Sequence, residues 1–145
     1  MIVYKQSDMS ERERLELKQA GDALHYYIQQ DNLSKCQTLL ARGADVNHRR
    51  GVYNYTPLHT ASGMGRTRVV KLLIENGALV NSTDNIGGTP LHCAAQEGHL
   101  DIARLLVNSG ARTDATQIQG AMPIHLAATH NRHQILTYLG SVSIW

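Results

Sequence analysis

The sequence predicts an all-α solenoid built from stacked helix–turn–helix units. The first observation is a phrase that returns at a fixed interval. Thr56-Pro57-Leu58-His59 becomes Thr89-Pro90-Leu91-His92 after 33 residues, and a worn copy, Met122-Pro123-Ile124-His125, follows after 33 more. A more degraded version, Asp22-Ala23-Leu24-His25, lies 34 residues upstream of the first. The second observation is a glycine turn that recurs in step, at Arg42-Gly43-Ala44, Asn76-Gly77-Ala78 and Ser109-Gly110-Ala111. Self-similarity at such a period means units that share one continuous core, each touching only its neighbours.

Composition agrees. The 145 residues amount to about one domain, 42% of them are apolar, and none is Phe, so Leu, Ile, Val and Ala must fill a closely packed core. A net charge of +2 is too weak to argue for nucleic acid or a membrane surface. Cys36 and Cys93 fall in different units and read as free thiols of a reducing compartment. The stretch Met1 to Ala20 is broken by Lys5, Asp8 and a Glu/Arg run, so it resembles neither a signal peptide nor a membrane span. A cytosolic or nuclear location is therefore expected, and the sequons at Asn32, Asn54 and Asn81 are read as chance.

In chain order, residues 1–20 are expected to be an extension whose charged stretch Ser10 to Lys18 forms a short helix covering the first unit. Units follow at about 21–53, 54–86, 87–119 and 120–145. Within each, Thr56 or Thr89 can cap a first helix with its hydroxyl. Pro57, Pro90 and Pro123 then take the first helical position, where the missing N–H costs nothing. Small pairs follow, Ala61-Ser62, Ala94-Ala95 and Ala127-Ala128, which let successive helices approach. Gly65 and Gly98 permit the turn into a second helix, whose apolar run (Leu105 among it) is expected to reach the shared core. Gly77 and Gly110 suit the left-handed position that ends it.

These units resemble ankyrin repeats. The stretch from Asp84-Asn85-Ile86-Gly87-Gly88-Thr89-Pro90 through Gly110-Ala111 matches that family's pattern nearly throughout, and residues 56–81 match almost as well. The resemblance covers about Gly21 to Leu139. It implies helix pairs stacked in parallel, β-turn fingers projecting at right angles, and a function in protein binding. It also implies that Asn47 and Asn81 occupy a loop position open to hydroxylation, although bracing of the finger turn accounts for them without it.

The departures mark the ends of the stack. Unit one has Ala23 in place of proline, Tyr26-Tyr27 in place of small residues, and Lys35 at an apolar position. Unit four has Asn131 for glycine and His133 for leucine, and stops at Gly140-Ser141-Val142-Ser143-Ile144-Trp145, read as a cap with its apolar tail folded back. Terminal repeats need such polar outer faces.

Chemistry is sparse. His25, His59, His92 and His125 recur in every unit, and the resemblance gives them a structural task, bonding to the capping threonine and the neighbouring finger. His99 has a similar reading, and His125, His130 and His133 lack the Cys or carboxylate that would complete a zinc set. Ser62-Gly63-Met64-Gly65-Arg66-Thr67 has no lysine to make a phosphate loop. No catalytic residue, metal or cofactor is expected.

What remains is surface that the repeat does not require. The first long finger, Asn47 to Tyr55, is one residue longer than the next and joins Arg49 and Arg50 to Tyr53 and Tyr55, residue types enriched in binding hot spots. An irregular turn with solvated charges is the other reading, and both stand at this point. Together with Met64 on a first helix and the apolar tips Ile86 and Ile118, these residues would make a mixed groove, positive at the unit-two end. The expected function is thus a non-catalytic, monomeric module that binds another protein as scaffold, adaptor or inhibitor. The alternatives are nucleic-acid binding through Arg49, Arg50, Arg66 and Arg68, or a pathogen effector acting on a host protein.

Overall fold

The computed structural model describes residues 10–142, the side chains of residues 12–17 excepted. Its helices are α1 (Glu11–Gln29), α2 (Leu33–Ala41), α3 (Pro57–Met64), α4 (Thr67–Glu75), α5 (Pro90–Glu97), α6 (Leu100–Asn108), α7 (Pro123–Thr129) and α8 (His133–Val142). The first helices α1, α3, α5 and α7 pack into one close row, and the second helices α2, α4, α6 and α8 form a looser row behind it. Among the described residues there is no strand, only a bridge between Arg50 and Tyr55 in the first finger.

The first helices form as their sequence dictates. The hydroxyl oxygen of Thr56 accepts from the His59 N–H at 3.3 Å, that of Thr89 does the same for His92, and proline follows each cap. Ala61, Ala94, Ala95 and Ala127 are buried between neighbouring first helices, so absence of bulk sets the close spacing of the row. In the second helices one stripe is buried, Val69, Val70 and Leu73 in α4 and Ile102, Ala103 and Leu106 in α6, while Arg68, Lys71, Asp101 and Arg104 face water. Leu105 is only half-buried; the helical register gives the central place to Leu106. Gly77 and Gly110 are left-handed, and the following amides of Ala78 and Ala111 return to the carbonyls of Leu73 and Leu106 at 2.9 Å, closing each helix.

Three sets of polar staples join one unit to the next. In the first, the histidine of the recurring phrase uses both ring nitrogens. The Thr56 N–H and hydroxyl donate to His59 Nδ1 at 3.3 and 2.8 Å, and His59 Nε2 donates to the Gly88 carbonyl of the next finger at 2.8 Å. His92 repeats this with Thr89 and the Ala121 carbonyl, and His25 reaches the His48 carbonyl at 2.6 Å. In the second, the Asn47 side chain accepts from Leu79 N–H and donates to Gly77, and Asn81 does the same with Arg112 and Gly110. In the third, the residue after each inter-helix turn reaches back to the previous first helix. Arg66 donates to the carbonyls of Ile28 and Gln29, His99 to Gly63, and Arg132 to Gln96. Gly65 and Gly98 serve this last set as well as the turn: a Cβ there would lie 2.7 Å from the His99 ring and 2.8 Å from Arg132 Cδ.

The ends depart from expectation in two ways. Helix α1 runs without a break from Glu11 through the first unit, so Ser10 to Lys18 do not form a separate short helix and the expected boundary after residue 20 falls inside a helix. The reason is Ala23: without the proline and threonine that restart a helix elsewhere, nothing interrupts it. Gly21 is buried in this helix because the His48 ring occupies the space a Cβ would need. At the other end, Gly140 to Val142 continue α8, and the rest of the expected folded-back tail, residues 143–145, lies outside the described residues.

Three measurements follow from this packing. Leu106→Ala should lower unfolding free energy by roughly 2–5 kcal/mol, and the half-buried Leu105→Ala by clearly less, in denaturant titrations. The Ser62 hydroxyl is buried without a hydrogen-bond partner where the next unit has Ala95, so Ser62→Ala should raise stability by about 1 kcal/mol. Burial also pushes His25, His59 and His92 below the ordinary 6.5, so below that pH the unfolded chain takes up protons that the folded chain refuses. Stability should be fully present at pH 7.5 and fall as pH drops through 6.5, by at most about 1.4 kcal/mol per pH unit for each ring. A melting temperature that does not change between pH 7.5 and 5.5 would contradict this assignment.

Candidate functional site

The fingers are short reverse turns closed by backbone hydrogen bonds. Asp84 N–H donates to the Gly88 carbonyl at 2.8 Å and Gln117 N–H to Ala121 at 3.0 Å, each enclosing three residues. Arg50 and Tyr55 exchange two such bonds, at 2.9 and 3.0 Å, around four residues, which is the extra residue visible in the sequence. Their tips are tied to one another: Asn85 N–H donates to the Tyr53 carbonyl at 2.9 Å, and Ile118 N–H to Ile86 at 2.7 Å. The three fingers therefore hold a common row along the stack.

Between this row and the first helices lies a groove of about 370 Å³. Tyr55, Met64, Ile86 and Leu126 give it apolar walls, and Gln29, Gln96 and Gln117 line its polar parts. His59, His92 and Cys93 also border it, together with the carboxylates of Asp84 and Glu97. Tyr55 stacks on His59 at 5.4 Å on one side and on Tyr53 at 5.4 Å on the other, so an aromatic ladder runs from finger tip to groove. Burial, with the two carboxylates adding to it, pushes the Tyr55 phenol and the Cys93 thiol each up to about 12. Both are protonated and neutral near pH 7.

The residues singled out from sequence divide into two groups. Tyr55, Met64 and Ile86 line the groove together. Tyr53 and Ile118 stand at the finger tips outside it, Ile118 at 77% exposure. The two arginines do not line it either. Arg49 donates to the carbonyls of Asn54 at 3.2 Å and Thr83 at 2.6 Å, lashing the first finger to the second, and Arg50 lies 3.8 Å from the Asp22 carboxylate of α1. Asp22 also receives His48 Nε2 at 2.9 Å, which with Arg50 holds its carboxyl below the usual range. The positive end expected of the groove is thus spent on bonds within the chain, and the groove carries two carboxylates instead. Of the four arginines considered for nucleic acid, Arg49, Arg50 and Arg66 all hold partners inside the chain.

Some of the surface was missed. Val52, 87% exposed at the first finger tip, was legible as an apolar residue next to Tyr53 in an otherwise polar loop. Cys93 and Leu126 had no such signal, since both sit within helix patterns that read as core. No group of three or more His, Cys, Asp or Glu among the described residues could hold a metal ion. No helix there is long and apolar enough to cross a membrane.

Comparison with known proteins agrees with this architecture. The family model for ankyrin repeats (3 copies) matches residues 5–84, 24–117 and 80–143. The putative ankyrin repeat protein FPV244 of Fowlpox virus (strain NVSL) is 48% identical over 54 residues, 37% of this chain and 8% of that protein. The 2-5A-dependent ribonuclease of Mus musculus is 39% identical over 51 residues, 35% of this chain and 7% of that protein. The palmitoyltransferase AKR1 of Kluyveromyces lactis is 37% identical over 70 residues, 48% of this chain and 9% of that protein. The chain spans less than a tenth of the length of these relatives. With the family model matching from residue 5 to residue 143 and the helix pairs, fingers and staples repeating at its period, the chain belongs to the ankyrin-repeat family.

Proposed function

We propose that this chain is a non-catalytic module that binds a partner protein through its fingers and first-helix row, as scaffold, adaptor or inhibitor. Ankyrin repeats are generally protein–protein interaction modules. The observation that carries the reading here is where exposed apolar side chains fall. Of the eight large ones exposed among the described residues, five (Val52, Tyr53, Met64, Ile86 and Ile118) lie on the fingers or at the groove. The repeat does not need them there, and Tyr53 and Tyr55 add rigid aromatic area of the kind found in hot spots. Because the tips are hydrogen-bonded in a row, the surface is preformed and a partner would order little on binding.

Catalysis is not supported by the chemistry of the groove. Its cysteine is held as an unreactive thiol rather than activated as a thiolate. Nucleic acid is disfavoured by carboxylates in the groove and by arginines already committed within the chain. The free thiols of Cys36 and Cys93 fit a cytoplasmic or nuclear setting, and an effector that meets a host protein would use the same surface.

The test compares wild type with Met64→Ser/Ile86→Ser/Ile118→Ser. Arginine substitutions are avoided because Arg49 braces two fingers. The partner captured by wild type should bind the variant at least roughly 30-fold more weakly, the about 2 kcal/mol of one lost anchor, with the melting temperature held within a few degrees. A partner bound equally by both proteins would remove the site from this face.

A further inference from the structure

We infer that the groove receives an extended segment of a partner protein in which a lysine or arginine stands beside apolar side chains, the cation seated against Asp84 and Glu97. This rests on the proposed binding function and names the chemistry of the partner. The first ground is charge complementarity. Asp84 Oδ1 accepts from the Ile86 and Gly88 amides at 2.9 and 2.8 Å, which leaves Oδ2 without a partner among the described residues. Glu97 Oε1 takes one long bond, 3.3 Å, from the Gln96 side-chain amide, and its Oε2 takes none. Neither carboxylate has a cation within 4 Å among the described residues. Both carboxylates line the same groove as Tyr55 and Cys93.

The second ground is the placement of Glu97. It closes α5, where the helix dipole is negative and a basic side chain would be the stabilising choice. Gln29 and Met64, the last residues of α1 and α3, line the same groove. Arg66 and Arg132 donate to last-turn carbonyls of α1 and α5 and Arg49 to the Thr83 and Asn54 carbonyls, and none of the three comes within 4 Å of either carboxylate. Tyr55, Met64 and Ile86 supply the apolar wall along which the stem of a lysine or arginine, or an adjoining aliphatic side chain, would lie. An acidic segment would meet two carboxylates that no cation of the described residues pairs with within 4 Å.

The experiment is selection of a displayed library of random 12-residue peptides on the folded chain, followed by anisotropy titration of the recovered sequences. They should carry a lysine or arginine next to an apolar residue. Binding should fall at least tenfold in Glu97→Gln and vanish in Glu97→Lys, both with a melting temperature no lower than that of wild type. Replacing the peptide's cation by glutamine should give at least that loss, and its effect should shrink in Glu97→Gln, because that variant has already lost one of the cation's two contacts. Peptides that lack a cation, or that bind Glu97→Gln as well as wild type, overturn the inference, as does failure to recover any. If such cation-free peptides are still lost in Met64→Ser/Ile86→Ser, the binding face stands and only its chemistry falls. If they bind that variant unchanged, both readings fall.

Discussion

A hydrogen bond from a neutral imidazole to the backbone of the next finger is the interaction on which the rest of this structure depends. A helix pair of about thirty residues cannot bury enough apolar surface to stand alone, so each unit is stable only against its neighbour. Hydrophobic contact between first helices supplies attraction but no register, because a row of alanines can slide. His59 and His92 remove that freedom. Each ring receives its own cap on Nδ1 and donates from Nε2 to a carbonyl 29 residues ahead, so helix start, helix stacking and finger position are set together. The arrangement needs one tautomer and no charge: a proton on Nδ1 would face the Thr56 or Thr89 amide. Burial and hydrogen-bond direction therefore demand the same protonation state.

From that constraint the finger row follows. Once Gly88 and Ala121 are held by histidines, the turns that begin at Asp84 and Gln117 have fixed bases. The bonds between Tyr53 and Asn85 and between Ile86 and Ile118 then fix their tips. Arg49 adds a further tie across the one finger that is a residue longer. Rigidity is what allows apolar side chains to remain exposed at the tips without collapsing onto one another. The surface is thus a product of the same staples that hold the core.

Most of the fold was legible because it is written locally and repeated. Threonine, proline, small pair and glycine each act within one turn of the chain, and a 33-residue period shows them to be parts of one device. The features that escaped are those in which a side chain acts far from its own place in sequence. Arg49 reads as a free surface cation until its guanidinium is seen on Thr83, 34 residues away. Arg66 reads as a surface cation open to nucleic acid, yet with His99 and Arg132 it forms a staple series of the same period. Continuity of α1 was signalled by Ala23 in place of proline, but the absence of a break is weaker information than its presence. Of the candidate site, Tyr55, Met64 and Ile86 were readable as apolar residues that the repeat did not explain, while Asp84 was masked by its part in closing the finger.

Asp84 shows why that masking matters. One oxygen of its carboxylate closes the finger by binding two amides, a task any such turn could give to an aspartate, and so the residue reads as structural. The second oxygen is left over, and the geometry that positions the first also holds the second beside the groove. Glu97 lacks even that excuse, since its place at the end of α5 is electrostatically unfavourable. With Arg49, Arg66 and Arg132 turned back onto carbonyls, the carboxylates of Asp84 and Glu97 keep oxygens that a partner in this concave space can reach. In a fold where stability comes from unit-to-unit staples, a residue such as Glu97, which closes no turn and joins no unit to the next, can change without loss of the stack, and this is where discrimination between partners can be built.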